Sequence, residues 1–185
     1  KNQSRNACCA PNYFGRHRSK SLRMEAIDIK NLIESELNIS VDLDEKSGRI
    51  TVQAAQLVSI CDFLWRHPST YFDSLSCLTA IDNGPENGTL EIIYTLYSIP
   101  NHLTFHIRLE VPRLLEDGKL PVVPTLSGIW KTANWHEREA FDLVGVVFEG
   151  HPDMTRILLP ADWVGHPLRK DYVEQEKYHG IQVKF

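Results

Sequence analysis

The stretch from His102 to Val111 constrains the fold more than any other part of this sequence. Apolar residues occupy every second position: Leu103, Phe105, Ile107, Leu109 and Val111. Because successive side chains of a β-strand point to opposite faces, this alternation predicts a strand with one buried face and one solvent face. Such a strand belongs in a sheet that is covered by an apolar layer on one side.

Other segments of the chain supply the remaining strands of that sheet. Residues 75–81 and 90–97 have strand composition and are joined by a loop rich in Asp, Asn, Gly and Pro. Alternating apolar residues on both sides of the Ser47-Gly48 turn predict a further hairpin. Strands that follow one another so closely favour a mainly antiparallel sheet.

Helical spacing of apolar residues appears in two places before these strands and again after them. Residues 24–37 and 53–67 carry apolar stripes with a period near 3.6 residues, and Pro68 ends the second. A third helix is predicted near Leu126, including Trp130, and a fourth from Asn134 as N-cap to Gly145. The sequence therefore predicts an α+β fold, a mainly antiparallel sheet with helices packed on one face, plus an extended C-terminal arm.

Composition excludes several classes of function. With 185 residues, 42% hydrophobic and 24% charged, the chain matches one globular domain with arms. A net charge of -4 gives no electrostatic basis for binding nucleic acid, and no apolar run approaches the roughly 20 residues of a spanning helix. The four cysteines form no C-x-x-C pair, and Cys61 and Cys77 are predicted to be buried apolar residues.

Three segments are predicted along the chain. Residues 1–23 contain six basic residues and no acid, which indicates a leader of separate origin that is not part of the fold, either a targeting segment or sequence added upstream of Met24. Residues 24–160 are predicted to form the single α+β domain. Residues 161–185 are predicted to form the extended C-terminal docking arm.

Charged residues of the fourth predicted helix lie on more than one face. Arg138 and Asp142 are four residues apart and are predicted to pair, while Glu137 and Glu139 lie on other rows of the helix. A helix that only covers its own core segregates polar from apolar residues. This distribution predicts contact with a second protein surface; the alternative for each acid is an ordinary solvent-exposed position.

Two Gly-His-Pro turns follow this helix, at Gly150-His151-Pro152 and Gly165-His166-Pro167. Pro restricts the preceding His to an extended conformation and Gly permits a sharp bend, so each imidazole is predicted to lie on a rigid corner. Such corners suit recognition or ligation.

The segment after the second corner has no apolar periodicity, yet it carries residues that anchor interfaces. It is interpreted either as a strap laid on another protein of an assembly or as an arm folded back on its own domain. The residues predicted to form the interface, or intramolecular ion pairs that fix the helix, the two corners and the tail, are Glu137, Arg138, Glu139, Asp142, His151, Pro152, Arg156, Trp163, Gly165, His166, Pro167, Leu168, Arg169, Lys170, Asp171 and Tyr172.

The same residues carry a resemblance to a known family. Glu137-Arg138-Glu139, Asp142-Leu143-Val144, His151 and Arg156-Ile157-Leu158 resemble the pattern of one family of respiratory subunits. Residues 165–172 (GHPLRKDY) resemble that family's closing motif, and residues 76–82 and 123–139 are also similar. Over about residues 28–172 the chain resembles the thirty-kilodalton subunit, or C subunit, of NADH-quinone oxidoreductase, which is respiratory complex I.

This resemblance implies an α+β subunit with no catalytic residue and no cofactor of its own. FMN, iron-sulfur clusters and quinone are expected in partner subunits. Docking is expected on the forty-nine-kilodalton, quinone-site D subunit, with the B and I subunits nearby. The complex is expected on the cytoplasmic side of a bacterial inner membrane, or on the matrix side in mitochondria. An equivalent subunit of a membrane-bound hydrogenase or a ferredoxin-linked complex is the alternative.

A stand-alone metal-dependent enzyme is a more remote alternative. His136, Glu139, His151 and His166 are residue types that ligate zinc or iron. His136 and Glu139 are three residues apart and share a helix face. No nucleophile-base set or Gly-rich phosphate loop accompanies them in the sequence.

Overall fold

The computed structural model describes residues 24–183, so the predicted leader of residues 1–23 lies outside the described residues. Three helices are present in this part of the chain: α1 (Ala26–Leu37), α2 (Ala54–Arg66) and α3 (Ala133–Val144). The strands are β1 (Asp42–Asp44), β2 (Arg49–Val52), β3 (Ser74–Asp82), β4 (Thr89–Ser98), β5 (Leu103–Pro112), β6 (Val122–Pro124), β7 (Val147–Glu149), β8 (Lys177–Tyr178) and β9 (Ile181–Gln182).

Five of these strands form one sheet in the order β1-β2-β5-β4-β3. Three neighbouring pairs are antiparallel, and only β2 runs parallel to β5. Two small sheets complete the described part, a parallel pair of β6 with β7 and an antiparallel hairpin of β8 with β9. The predicted α+β class with a mainly antiparallel sheet is confirmed.

The core lies between one face of the large sheet and the helices. All five alternating apolar residues of β5 are buried, as the sequence predicts. They belong to one cluster with the inner residues of β4, Ile29 and Ile33 of α1, and the buried face of α2. The outer face of the sheet carries polar residues such as Arg108, whose guanidinium pairs with Glu91 at 2.9 Å.

The helix predicted near Leu126 is wrong. Residues 127–129 form a turn, in which the backbone N–H groups of Ile129 and Trp130 both bond to the Leu126 carbonyl at 2.9 and 3.0 Å. The Trp130 indole N–H then donates to the carbonyl of Phe72, shortly before β3, at 2.9 Å. This bond joins residues 58 positions apart, so it is a tertiary contact that the local sequence does not show.

The predicted start of α3 is also wrong by two residues, since Thr132 and not Asn134 precedes the helix. The Thr132 hydroxyl donates to the carbonyl of Leu75 at 3.0 Å and makes no capping bond. A tertiary contact to β3, invisible in the local sequence, therefore sets this boundary.

Cys61 is buried as predicted, and burial raises the pKa of its thiol. Cys77 is exposed, which contradicts the prediction. The register of β3 shifts between Leu75 and Cys77, so Cys77 pairs with Thr95 on the outer face of the sheet. The bulge inserts one residue and thereby turns Cys77 to the opposite face from the one its alternation with Leu75 indicates.

Within residues 24–183 no helix combines the length and apolar character that crossing a bilayer demands. The division of the chain at residue 160 stays a prediction.

Replacement of Ile60 by Ala tests the core assignment. Ile60 is fully buried in α2, so we expect Ile60→Ala to lower the free energy of unfolding by about 2–4 kcal/mol in a urea titration. Val58 on the same helix is exposed, and Val58→Ala should change this free energy by less than about 0.5 kcal/mol. Equal effects of the two changes would contradict the packing described for α2.

Candidate functional site

The C-terminal end of α3 is the point on which most of the predicted site residues converge. The last four carbonyl groups of a helix have no partner inside it. Gly145 ends α3 with a φ of 81°, and its N–H bonds to the carbonyls of Ala140 and Phe141, both at 3.0 Å. The carbonyls of Asp142, Leu143 and Val144 still need donors.

Two side chains from later in the chain reach the Asp142 carbonyl. The Arg156 guanidinium donates to it at 3.1 Å, and His166 Nδ1 lies 3.0 Å from it. Because a carbonyl only accepts, His166 carries its proton on Nδ1. Burial first, and then Arg169 and Arg156 nearby, lower the pKa of His166, which keeps the ring neutral.

Two consecutive residues of the closing motif cover the remaining carbonyls. The backbone N–H of Leu168 donates to the carbonyl of Leu143 at 2.9 Å. Arg169 donates through Nε to the carbonyl of Val144 at 2.7 Å and through Nη2 to that of Gly145 at 3.2 Å. We call the four donors the α3 C-terminal cap: Arg156, His166, Leu168 and Arg169. Its two guanidinium groups also lie at the negative end of the helix dipole.

The Asp142 carboxylate is buried beneath this cap. One oxygen pairs with Arg156 at 2.7 Å. The other accepts the backbone N–H groups of Ile157, Leu158 and Leu159 at 3.1, 2.8 and 2.9 Å. Burial alone would raise the pKa of Asp142, but these N–H donors and Arg156 together lower it. Asp142 therefore stays ionised and fixes residues 157–159.

The predicted pair of Arg138 with Asp142 is thus wrong. Arg138 instead donates to the carbonyl and hydroxyl of Thr155 at 3.1 and 3.0 Å, and it stacks over the Trp135 ring at 5.4 Å. Arg156 and the N–H groups of residues 157–159 bind the Asp142 carboxylate in place of Arg138, because together they satisfy both oxygens of a fully buried group.

Both Gly-His-Pro corners turn their imidazoles inward, toward opposite ends of α3. The His151 side chain is buried, with Nε2 at 3.1 Å from the carbonyl of Asn134 in the first turn. Its Nδ1 accepts the N–H of Asp153 at 3.0 Å, so this ring is also neutral. Pro152 remains exposed. The two histidines hold α3 from both ends, and neither ring is directed outward for recognition.

Glu137 is fully buried and does not lie on an outer face of α3. One oxygen accepts the N–H of Leu126 at 2.7 Å, and the other accepts the hydroxyl of Thr125. Burial raises the pKa of Glu137 to about 7, although both hydrogen bonds act in the opposite direction. The charges on several faces of α3 therefore arise in part from acids that are buried in the chain's own fold.

The closing motif also binds the large sheet. Arg113 follows β5 and pairs with Asp82 at 2.7 Å and with Asp171 at 3.2 Å. The N–H of Lys170 donates to the Asp82 carboxylate at 2.8 Å. Burial alone would raise the pKa of Asp82, but the N–H groups of Lys170 and Gly84 and the Arg113 guanidinium together lower it.

Residues 166–171 are thus folded back on their own domain, in agreement with the second of the two interpretations of the arm. The sequence does not identify Arg113 as a site residue. It includes Asp82 only within residues 76–82, which resemble the family. A signal for Arg113 is its charge directly after Pro112, at the end of a half-buried strand.

Other residues of the arm contact one another. The Trp163 indole N–H donates to the Tyr172 hydroxyl at 3.1 Å, and the ring of Tyr172 packs 3.1 Å from where a Cβ on Gly165 would stand. The Tyr178 hydroxyl in β8 donates to Asp162 at 2.7 Å. Pro167 is half-buried beside these residues.

The residues proposed for a metal centre are not brought together. His151 and His166 bond to carbonyls at opposite ends of α3, while His136 and Glu139 line a shallow cavity of about 210 Å³ beside Cys77. Among residues 24–183, no group of three or more His, Cys, Asp or Glu side chains is placed to hold a metal ion. The geometry does not support the metal-enzyme alternative.

Comparison with known proteins identifies the family. Residues 50–178 match the family model described as "Respiratory-chain NADH dehydrogenase, 30 Kd subunit", which covers the α3 C-terminal cap and most of the large sheet. The chain belongs to this family. Relatives named as the C subunit of NADH-quinone oxidoreductase include one from Chloroherpeton thalassium, 45% identical over 69% of this chain, and one from Chlorobium phaeobacteroides, 44% identical over 70%.

The chain spans 50% of the Chloroherpeton relative and 75% of the Chlorobium relative. Among solved structures, a chain of the membrane-bound sulfane sulfur reductase, an archaeal respiratory membrane complex, superposes with a TM-score of 0.61. Its sequence identity is 23%, over 78% of this chain and 83% of that one. This likeness shows the fold.

Replacing Asp142 by Asn tests the buried ion pair. Asp142→Asn leaves Arg156 without its counter-ion, so we expect a loss of about 3 kcal/mol in the free energy of unfolding near neutral pH. Because the pKa of Asp142 is lowered on folding, this contribution exists above the ordinary value of 3.8 and disappears as the pH falls.

The matched control is Asp153→Asn, since Asp153 is largely exposed and lies 3.7 Å from Arg138. Its effect should stay below about 1 kcal/mol. Urea titrations at neutral and acidic pH measure both variants. The assignment would be contradicted if the free energies of unfolding of the wild type and Asp142→Asn differed as much at low pH as at neutral pH.

Gly145 provides a second test. An added Cβ would stand 2.6 Å from the His166 ring, on a backbone whose φ of 81° disfavours other residues. We expect Gly145→Ala to cost at least about 2 kcal/mol of stability and to shift the ring resonances of His166 in NMR spectra. Gly128→Ala is the control, because its Cβ meets nothing within 4 Å. Wild-type stability of Gly145→Ala would show that the cap is not close-packed.

Proposed function

We propose that this chain is a non-catalytic structural subunit of the peripheral arm of a proton-translocating NADH-quinone oxidoreductase. Family membership carries the proposal, together with relatives named as the C subunit of that enzyme at 44–45% identity. In this role the chain supports electron transfer from NADH to quinone by holding its neighbours in position.

The internal bonding of the motif residues supports a structural role. The charged and imidazole groups of Asp142, His151, Arg156, His166 and Arg169 bond to backbone groups or to one another. Groups engaged in this way are not free to act on a substrate. They fix the conformation of residues 145–172 on the domain.

We propose that the docking surface consists of side chains that are exposed on α3 and on residues 145–183. Large apolar side chains are exposed on α3 and on the segment that follows it: Trp135, Leu158, Val164, Leu168, Val173 and Ile181. Exposed apolar groups concentrated on one segment are typical of protein interfaces. We propose that they pack on the forty-nine-kilodalton, quinone-site D subunit, with the B and I subunits nearby.

Cofactors and membrane attachment follow from this role as part of the proposal. FMN, iron-sulfur clusters and quinone would be bound by the partner subunits. The chain would meet the membrane only through the complex, on the cytoplasmic side in a bacterium. An equivalent place in a membrane-bound hydrogenase or ferredoxin-linked complex is the second candidate, because the fold also occurs in another respiratory membrane complex.

Affinity isolation of the complex from native membranes, followed by mass spectrometry, tests the proposal. We expect a flavin-binding NADH-oxidising subunit and a quinone-site subunit to be recovered in stoichiometric amounts. Recovery of a nickel-bearing large subunit would favour the hydrogenase candidate. A chain recovered alone under gentle detergent conditions would refute both.

Variants of the exposed surface separate docking from folding. We expect Leu158→Ser combined with Leu168→Ser to reduce recovery of the partner by at least about tenfold, because a buried apolar contact is lost on each. Melting temperature of the isolated chain should change little, since both side chains are exposed. The control combines Ile99→Ser with Leu114→Ser, which are also exposed but lie elsewhere, and it should retain the partner.

A further inference from the structure

Glu137 lies where three segments of the chain meet. It projects from α3 into the interior, bonds to the turn after β6 through Thr125 and Leu126, and approaches the corner that follows β7. Nε2 of His151, in that corner, lies 3.9 Å from the Glu137 carboxyl oxygen, and both side chains are fully buried.

Within residues 24–183, no Lys or Arg lies within ion-pair distance of this carboxylate. Among the described residues, His151 is the one ionisable base within ion-pair distance of Glu137, and its ring is neutral, since Nδ1 accepts from Asp153 and Nε2 faces the carbonyl of Asn134. Asp142, five residues later on the same helix, has Arg156 and three N–H donors. The two buried acids of this helix thus differ in the presence of a counter-charge.

In the part of the chain that the structure describes, the other groups around Glu137 carry no positive charge. Tyr94 of β4 is fully buried, and its hydroxyl has no hydrogen-bond partner within residues 24–183. Burial raises the pKa of Tyr94, and the nearby Glu137 raises it further, as does Cys61 of α2. The turn after β6 contributes only uncharged groups. Ionisation of Glu137 would therefore place an unpaired anion in the core, at high energetic cost.

The corner of residues 150–153 covers Glu137 on the side of His151, whose Nε2 lies 3.9 Å from the carboxyl group. Gly150, Pro152 and Asp153 are exposed, while the His151 ring fills the space between the corner and the carboxyl group. The Asp153 N–H bond to His151 Nδ1 and the bond of the His151 backbone N–H to the carbonyl of Phe148, at 3.2 Å, hold the corner closed. Opening it would admit water to the carboxylate.

We propose that Glu137, Tyr94 and His151 form a proton-sensitive switch, in which loss of the Glu137 proton favours opening of the corner at residues 150–153. Below about pH 7 the carboxyl group of the closed state is protonated and neutral. When its proton passes to solvent, the anion is stabilised by hydration only if the His151 ring swings out, and Asp153 then loses its acceptor. Since Asp153 and Thr155 both contact Arg138, an open corner also loosens the start of the segment that carries Arg156.

The sign of the pH dependence follows from the raised pKa. An open, hydrated Glu137 has a pKa near its ordinary value of 4.5, and the closed form has a pKa of about 7. Between these two pKa values the closed form binds more protons than the open form. The free energy that favours the closed form therefore falls as the pH rises, and it stays constant above the higher pKa. The opening constant should rise on the order of tenfold between about pH 5.5 and about pH 7.

Amide hydrogen exchange at Asp153, read by NMR as a protection factor corrected for the intrinsic rate at each pH, measures this opening. We expect protection in the wild type to fall on the order of tenfold over this range, and protection in Glu137→Gln to stay constant, because Gln keeps the shape without the charge. Glu139→Gln is the matched control, an acid two residues away that is not fully buried and should behave as wild type.

A second measurement needs no variant. Carbon-13 NMR of the side-chain carboxyl groups in the wild-type chain should show Glu137 titrating near neutrality, while Asp142 stays ionised throughout as an internal reference. The switch is overturned if Glu137 is already ionised at about pH 5.5, or if Asp153 protection follows the same pH course in wild type and Glu137→Gln. Neither readout depends on the partner subunits, so failure here leaves the docking role intact.

Discussion

Three carbonyl groups at the end of α3 have no partner inside the helix, and the arrangement of residues 145–172 follows from the need to satisfy them. Arg156, His166, Leu168 and Arg169 each donate to one or two of these groups or to the neighbouring Gly145 carbonyl. An unsatisfied buried carbonyl costs on the order of 1–3 kcal/mol, so the whole set favours one conformation of the arm strongly. Because Gly145 has no Cβ, the His166 ring can approach closely enough to donate to the Asp142 carbonyl.

The same segment is anchored a second time by the sheet. Asp82 and Arg113 lie at the ends of β3 and β5, and they hold Lys170 and Asp171 of the closing motif. Charged residues that resemble an interaction motif are thus mostly engaged in internal contacts. Large apolar side chains such as Leu158 and Leu168 remain exposed on the same segment, which is why we propose docking for that surface and a framework role for the motif.

The two buried acids of α3 differ in pKa because different groups surround them. Asp142 is ionised because Arg156 and three N–H groups surround it, and it acts as a fixed anchor. Glu137 has two hydrogen bonds but, among residues 24–183, no Lys or Arg within ion-pair distance, and burial raises its pKa to about 7. A structural anchor and a proton-sensitive point therefore lie within little more than one turn of the same helix.

The sequence by itself determined the sheet strands, α1, α2 and the end of α3 at Gly145, because period-2 and period-3.6 patterns and a glycine stop are local signals. The sequence also carried the resemblance to the family, in residues such as 137–144 and 165–172. Only the tertiary structure decided that Asp142 pairs with Arg156 instead of Arg138, that both histidine corners face inward, that Cys77 is exposed, and that α3 starts at Ala133. Each of these depends on a contact between residues distant in sequence or on a bulge, and neither leaves a periodic trace in the residues themselves.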